Sequence, residues 1–281
     1  MIDLHIHTAA SDGSDSVREL AEKLRKNDID IFAVTDHDTI DGALEMEKFV
    51  WPGARFVKGV EFSCISPLGK CHILGYGYDA ADSQLLAALK EGSDLRMAKL
   101  EARLAYVRET YQIKFTQEEL DWLYSMKSPG KPHIADLMLK RGIGKDRNDV
   151  IRNYIHGNSG RMKKGRDRIS AQTAITGILH AGGIPVWAHP LGGEGEKLLS
   201  QEQFANQLQT LKESGIRGLE CHYSRYSQEQ VQFLRSMAVK HGLLISGGSD
   251  YHGSRKNIAL GTLNANGAAV REQDLTILQN L

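Results

Sequence analysis

Residues 1–12 read Met1-Ile2-Asp3-Leu4-His5-Ile6-His7-Thr8-Ala9-Ala10-Ser11-Asp12. His5 and His7 are two apart inside an apolar run, so an extended backbone turns both imidazoles to one face. Asp12 follows five residues on. Two imidazoles with a carboxylate nearby make a donor set for a divalent ion, although a solvated strand face explains a lone His-x-His pair just as simply. Short apolar runs recur at 30–35, 55–62, 71–77, 184–189, 216–222 and 243–249. Several are near-continuously apolar, which is the pattern of strands buried in a parallel sheet. Helical patterns lie between them. Ser16-Val17-Arg18-Glu19 reads as a capping box ahead of Val17, Leu20, Ala21 and Leu24, and Ser227-Gln228-Glu229-Gln230 repeats the device ahead of Val231, Leu234 and Ala238. Gly182-Gly183 stops the helix before residue 184. Seven βα-like repeats predict an α/β fold, a (β/α) barrel of fewer than eight strands in preference to an open doubly wound sheet.

The alternation breaks between about 80 and 168. That stretch carries helix-like segments around 83–110, 116–126, 131–141 and 146–156 and many cations, among them Lys131, Lys140, Arg141, Arg161, Lys163, Lys164, Arg166 and Arg168. It reads as a helical insertion (80–168) beside the mouth of a barrel formed by 1–79 and 169–281, a common seat of substrate selectivity. In the whole chain of 281 residues, 35 basic and 35 acidic side chains cancel, which leaves no global field to draw it onto nucleic acid or membrane. Phosphate recognition must then be local. Cys64, Cys71 and Cys221 form no CxxC pair and argue against a disulfide framework. With no membrane-length apolar run and no signal-peptide pattern, a cytoplasmic protein is expected.

The ends of the candidate strands carry the chemistry. They present His5 and His7 with Asp12 beyond, Thr35-Asp36-His37-Asp38, Glu61, His72 at the opening of the fourth run, Ala188-His189-Pro190, Glu220-Cys221-His222, and Ser249-Asp250-Tyr251-His252. In a barrel of parallel strands such ends converge on one face. Five or six imidazoles with three or four carboxylates are too many for one tetrahedral ion, and they suit two or three ions sharing a bridging carboxylate.

These motifs, together with Gly59-Val60-Glu61-Phe62 and His72-Ile73-Leu74-Gly75-Tyr76, resemble the PHP (polymerase and histidinol phosphatase) family of metal-dependent phosphoesterases. Lys131-Pro132-His133-Ile134-Ala135 resembles the corresponding segment of one branch, the 3′,5′-nucleotide bisphosphate phosphatases. The resemblance implies a distorted barrel of seven strands. It implies a first ion on His5, His7 and Asp250, bridged by Glu61 to a second on His72 and His189, and a third on Asp12, His37 and His252. The metal implied is manganese, iron or zinc. Asp36, beside a ligand, is expected to act from behind it. The implied mechanism is in-line attack on phosphorus by a hydroxide bridging two ions.

A bisphosphate needs a second anion site. Lys131, His133, Arg161 and Lys163 are the candidates, although a basic run can equally be a solvated loop. His222 is expected to contact substrate or give a proton, unless it is merely a histidine at a strand end. His156, His180 and His241 read as surface or capping residues. The expected activity is hydrolysis of a nucleoside 3′,5′-bisphosphate to the 5′-monophosphate. A 5′→3′ exoribonuclease on short RNA, a histidinol-phosphatase-like enzyme and a non-catalytic nucleotide sensor are the alternatives.

Overall fold

In the computed structural model, which describes residues 1–156, 167–193 and 198–281, the apolar runs become strands. These are β1 (Ile2–Ile6), β2 (Ile31–Val34), β3 (Arg55–Ser66), β4 (Gly69–Tyr76), β5 (Ile169–Ser170), β6 (Ile184–Ala188), β7 (Gly218–Tyr223) and β8 (Leu244–Gly248). The helices are α1 (Val17–Lys26), α2 (Asp41–Met46), α3 (Ser83–Tyr111), α4 (Gln117–Ser125), α5 (Lys131–Lys140), α6 (Arg147–Val150), α7 (Ala171–His180), α8 (Gln201–Glu213) and α9 (Gln228–His241).

The sheet runs β1-β2-β3-β4-β6-β7-β8, with the short β5 added to the edge of β3. It closes on itself where Asp250 N donates to His5 O and His7 N donates to Tyr251 O, both at 2.9 Å. The result is a seven-stranded barrel. Closure needs Gly248, since a Cβ there would stand 2.2 Å from the Cβ of His5. One expectation is corrected. The strands are not all parallel, because β4 is antiparallel to both β3 and β6. β3 and β4 form a hairpin joined by two residues, too short a connection for a parallel crossover. That reversal explains why His72 opens its strand: it lies opposite Ser63 on β3 and Ala188 on β6, at the same end of the barrel as the closing residues of the parallel strands.

The capping boxes at Ser16 and Ser227 form as the sequence patterns predict, with each serine side chain accepting from the third helical N–H. Val17, Leu20, Ala21 and Leu24 are buried against the sheet. The helices α3 to α6 bury a cluster of their own, including Leu100, Leu104, Val107, Leu123, Ile134, Met138 and Val150. α3 serves both cores: Leu85, Ala88 and Leu89 pack on the barrel, while its second half packs in the separate helical cluster. No helix among the described residues is long and apolar enough to cross a membrane.

Candidate metal centre

Glu61 stands at the middle of the barrel mouth, 1% exposed, with imidazoles on both of its oxygens. Oε1 is 2.8 Å from His72 Nδ1 and 3.2 Å from His189 Nε2. Oε2 is 3.1 Å from His37 Nδ1, 3.2 Å from His7 Nε2 and 3.3 Å from His5 Nε2. Asp250 Oδ1 adds a second carboxylate at 3.4 Å from His7 Nε2 and 3.6 Å from His5 Nε2. Beyond His7, Asp12 faces His252 Nε2 at 3.2 Å, His7 Nδ1 at 3.7 Å and His37 Nε2 at 4.0 Å. All nine residues expected to hold ions are therefore brought together.

Three groupings have donor atoms close enough to share an ion: His7, Asp12, His37 and His252; His5, His7 and Glu61; and His37, Glu61 and His72. They differ from the expected sets, since His7 and His37 each occur twice. A neutral imidazole offers one lone pair, so each histidine serves one ion, whereas the two oxygens of Glu61 can serve two. The donors fit divalent ions on a second count: the buried atoms His7 Nδ1, Asp12 Oδ1 and His37 Nδ1 make no hydrogen bond. His5 Nε2 and His7 Nε2 also face each other at 3.2 Å, an approach that a shared cation would relieve.

The electrostatics match. Burial would raise the Glu61 and Asp12 carboxyls, but the surrounding imidazoles hold both well below the usual range. Burial opposes charge on His7, yet hydrogen bonds to Asp250 and Glu61 lift it to about 9. Burial lowers His37, His72 and His252, which favours the neutral form that binds metal. Three residues at these strand ends, Asp38, His189 and Asp250, have left-handed φ angles of 53°, 28° and 58°. Strain of this kind collects where the chain must aim a functional group.

Buried carboxylates hold the ligand loops from behind. Asp36 accepts from Thr8 N at 2.8 Å, Thr8 Oγ1 at 2.6 Å and Ser11 Oγ, so it braces the loop from His7 to Asp12 and not its neighbour His37. Asp3 does the same for the other side, accepting from Ser249 N at 2.9 Å and Ser249 Oγ at 2.6 Å. Tyr223 Oη and Lys256 Nζ both donate to Asp250 Oδ2.

His222 is not brought to the centre. The pairing of β7 with β8 slips between Glu220 and His222, and this bulge turns the histidine toward α9, where its Nε2 is 3.3 Å from Arg235 Nη1. Burial and Arg235 lower it to about 4. Glu220 faces the centre instead, a residue that motif reading passes over because attention goes to the histidine beside it.

The expected anion residues separate as well. His133 accepts from Gly130 N through Nδ1 at 3.0 Å, and its Nε2 is 2.9 Å from Arg255 Nη1. Arg255 also donates to Asp12 O at 3.0 Å and pairs with Asp136, which ties α5 to the ligand loop. Arg161 and Lys163 lie outside the described residues. Lys131 joins a basin of cations that α3 supplies with Arg96, Lys99 and Arg103 and that Arg168 completes beside His72, its Nη1 2.9 Å from His72 Nε2. Burial and then Arg168 lower Lys99 to about 7; burial and then Arg103 lower Lys131 to about 8. Asp38 pairs with Arg96, and Asp167 lies 3.4 Å from Lys99. Among the described residues no carboxylate pairs with Arg103, Lys131 or Arg168, and Arg168 Nε is buried without a partner. The signal was present in the sequence: 96, 99 and 103 share one face of a helix.

A barrel whose mouth gathers five imidazoles around one carboxylate, with a sixth on the neighbouring Asp12, defines the class, a metal-dependent hydrolase. Residues 3–153 match the model of the PHP domain, and the chain belongs to that family. It is similar to a 3′,5′-nucleoside bisphosphate phosphatase of Chromobacterium violaceum, 27% identical over 89% of this chain and 87% of the relative. It is 26% identical to a phosphoribosyl 1,2-cyclic phosphate 1,2-diphosphodiesterase of Eggerthella lenta, over 89% of this chain and 94% of the relative. A 5′-3′ exoribonuclease of Haemophilus influenzae is 29% identical, over 89% of each chain. A solved structure from Bifidobacterium adolescentis, described as a metal-dependent phosphoesterase, superposes with a TM-score of 0.80 at 26% identity over 97% of both chains. The chain is a metal-dependent phosphoester hydrolase.

Proposed function

We propose that the chain removes a phosphate from a small nucleotide that carries two, a nucleoside 3′,5′-bisphosphate, and releases the 5′-monophosphate. The observation that carries this reading is the cation basin of Lys99, Arg103, Lys131 and Arg168 against His72. Among the described residues, these four clustered, partly buried cations share only Asp167 as a nearby counter-charge, and a substrate anion relieves their repulsion at a fixed place beside the reacting phosphate. His5, His7, Asp12, His37, Glu61, His72, His189, Asp250 and His252 would hold two or three divalent ions, of manganese, iron or zinc, with Glu61 shared between two of them. Such ions supply a Lewis acid and lower the pKa of water. The residues of the chain then do the positioning: the basin anchors the second phosphate, and Asp36 and Asp3 keep the ligand loops from yielding.

A short 5′-phosphorylated RNA offers a comparable run of anions, and the similarity to the Haemophilus exoribonuclease makes it the second reading. The test is a comparison of kcat/KM on adenosine 3′,5′-bisphosphate, AMP, a ribose 1,2-cyclic phosphate, histidinol phosphate and a 5′-phosphorylated RNA oligomer with metal-loaded protein. Preference for the bisphosphate over AMP by a factor of ten or more is expected. Turnover of histidinol phosphate alone, or of the cyclic ester alone, overturns the reading.

A further inference from the structure

Glu220 is fully buried on β7, and each of its oxygens accepts one N–H. Oε1 lies 2.8 Å from His5 Nδ1, and Oε2 lies 2.7 Å from the backbone N of His189. The two partners flank Glu61 from opposite sides, since His5 Nε2 faces its Oε2 and His189 Nε2 faces its Oε1. The two rings stack at 6.0 Å between centroids. One carboxylate therefore reaches behind both sides of the centre at once.

From this geometry we infer that Glu220 is a positioning residue that sets His5 and His189 together. A carboxylate only accepts, so a neutral His5 facing it must carry its proton on Nδ1 and offer the Nε2 lone pair to the centre. For His189 the contact is to the main chain. Its φ of 28° is a conformation a histidine does not keep unaided, and the N–H held by Glu220 is one of the bonds that maintains it. Because the same side chain does both, the ligands on the two sides of Glu61 lose their placement together. The inference rests on the reading that these histidines hold ions.

Glu220→Gln tests it with almost no change in volume. An amide has one accepting and one donating end, so either His5 Nδ1–H or His189 N–H must face an NH2 group. Manganese and zinc are titrated into wild type and variant by calorimetry, with bound metal counted by mass spectrometry. The histidine tautomers of the zinc-loaded proteins are read by two-bond 1H–15N correlation. The expected result is a 10–100-fold weaker affinity for at least one ion and an altered His5 or His189 signal, with unchanged far-UV circular dichroism. Wild-type affinity together with a wild-type tautomer pattern overturns the inference. A wild-type protein that takes up no divalent ion sinks the ligand reading itself, which is a separate outcome. If Glu220→Gln does not fold, Glu220→Asp carries the test. Its shorter arm reaches one partner at most, and full wild-type affinity in that variant again overturns the proposal.

Discussion

The barrel mouth and the basin on α3 are neighbours, joined through the contact of Arg168 with His72, yet they are built on opposite electrostatic principles. At the mouth, each cation-accepting imidazole faces a carboxylate, and Glu61 alone meets five of them. In the basin, Arg103, Lys131 and Arg168 pair with no carboxylate among the described residues, and burial drives Lys99 to about 7. The first region is complete in donors and is completed by cations. The second is rich in cations, and the proposed function completes it with an anion. Under the proposed function, a phosphoester with a second charged group would satisfy both, which a bare monoester would not.

Removing the hub should separate the regions most sharply. Glu61→Ala is expected to lower kcat roughly a thousandfold or more, since the shared carboxylate is what holds both sides of the centre. Binding of inorganic phosphate to the basin should survive it, as shown by a phosphate-dependent rise in Tm close to that of wild type. Loss of both effects would mean that the two regions are one site.

Arg103→Met reverses the experiment. It should raise KM for the bisphosphate about 10–100-fold, the value of a hydrogen bond to a charged group, while kcat on p-nitrophenyl phosphate stays within about twofold. Equal loss on both substrates would assign the basin to the chemical step.

The smallest effect is the pH dependence. Lys99 and Lys131 have lowered pKa values near 7 and 8, so both are charged below pH 7 and discharge as pH rises through 7 to 8. An anion binds the charged forms and pulls both values back up. KM for the bisphosphate should thus be lowest near pH 6.5 and rise several-fold by pH 9, and the stabilisation by phosphate should fade over the same interval. A flat KM across that range removes the two lysines from the anion site.

Most of the barrel was legible in the chain because its strands are short apolar runs bounded by serine caps and glycines, all of them local signals. The clustering of the candidate ligands was legible for a related reason: β-strands place i and i+2 on one face, and barrels bring strand ends together. What escaped was whatever depended on direction. The reversal of β4 leaves no mark in composition, and only its hairpin with β3 shows why His72 opens a strand instead of closing one. The bulge at Cys221 is equally silent, and it decides that Glu220 and not His222 faces the centre. β5, two residues long, is too short to carry a period.

By itself the sequence determined which side chains were available and roughly where the backbone would present them, because hydrophobic period and capping act over a few residues. The tertiary structure alone decided the pairings: that Glu61 lies within reach of five imidazoles drawn from four other strands and their loops, that Asp3 and Asp36 brace loops they do not border, and that three cations of α3 meet Arg168 from residues 65 positions or more away. Such meetings depend on strand order, register and closure. Those are set by the burial of the whole core, and no local stretch of the chain records them.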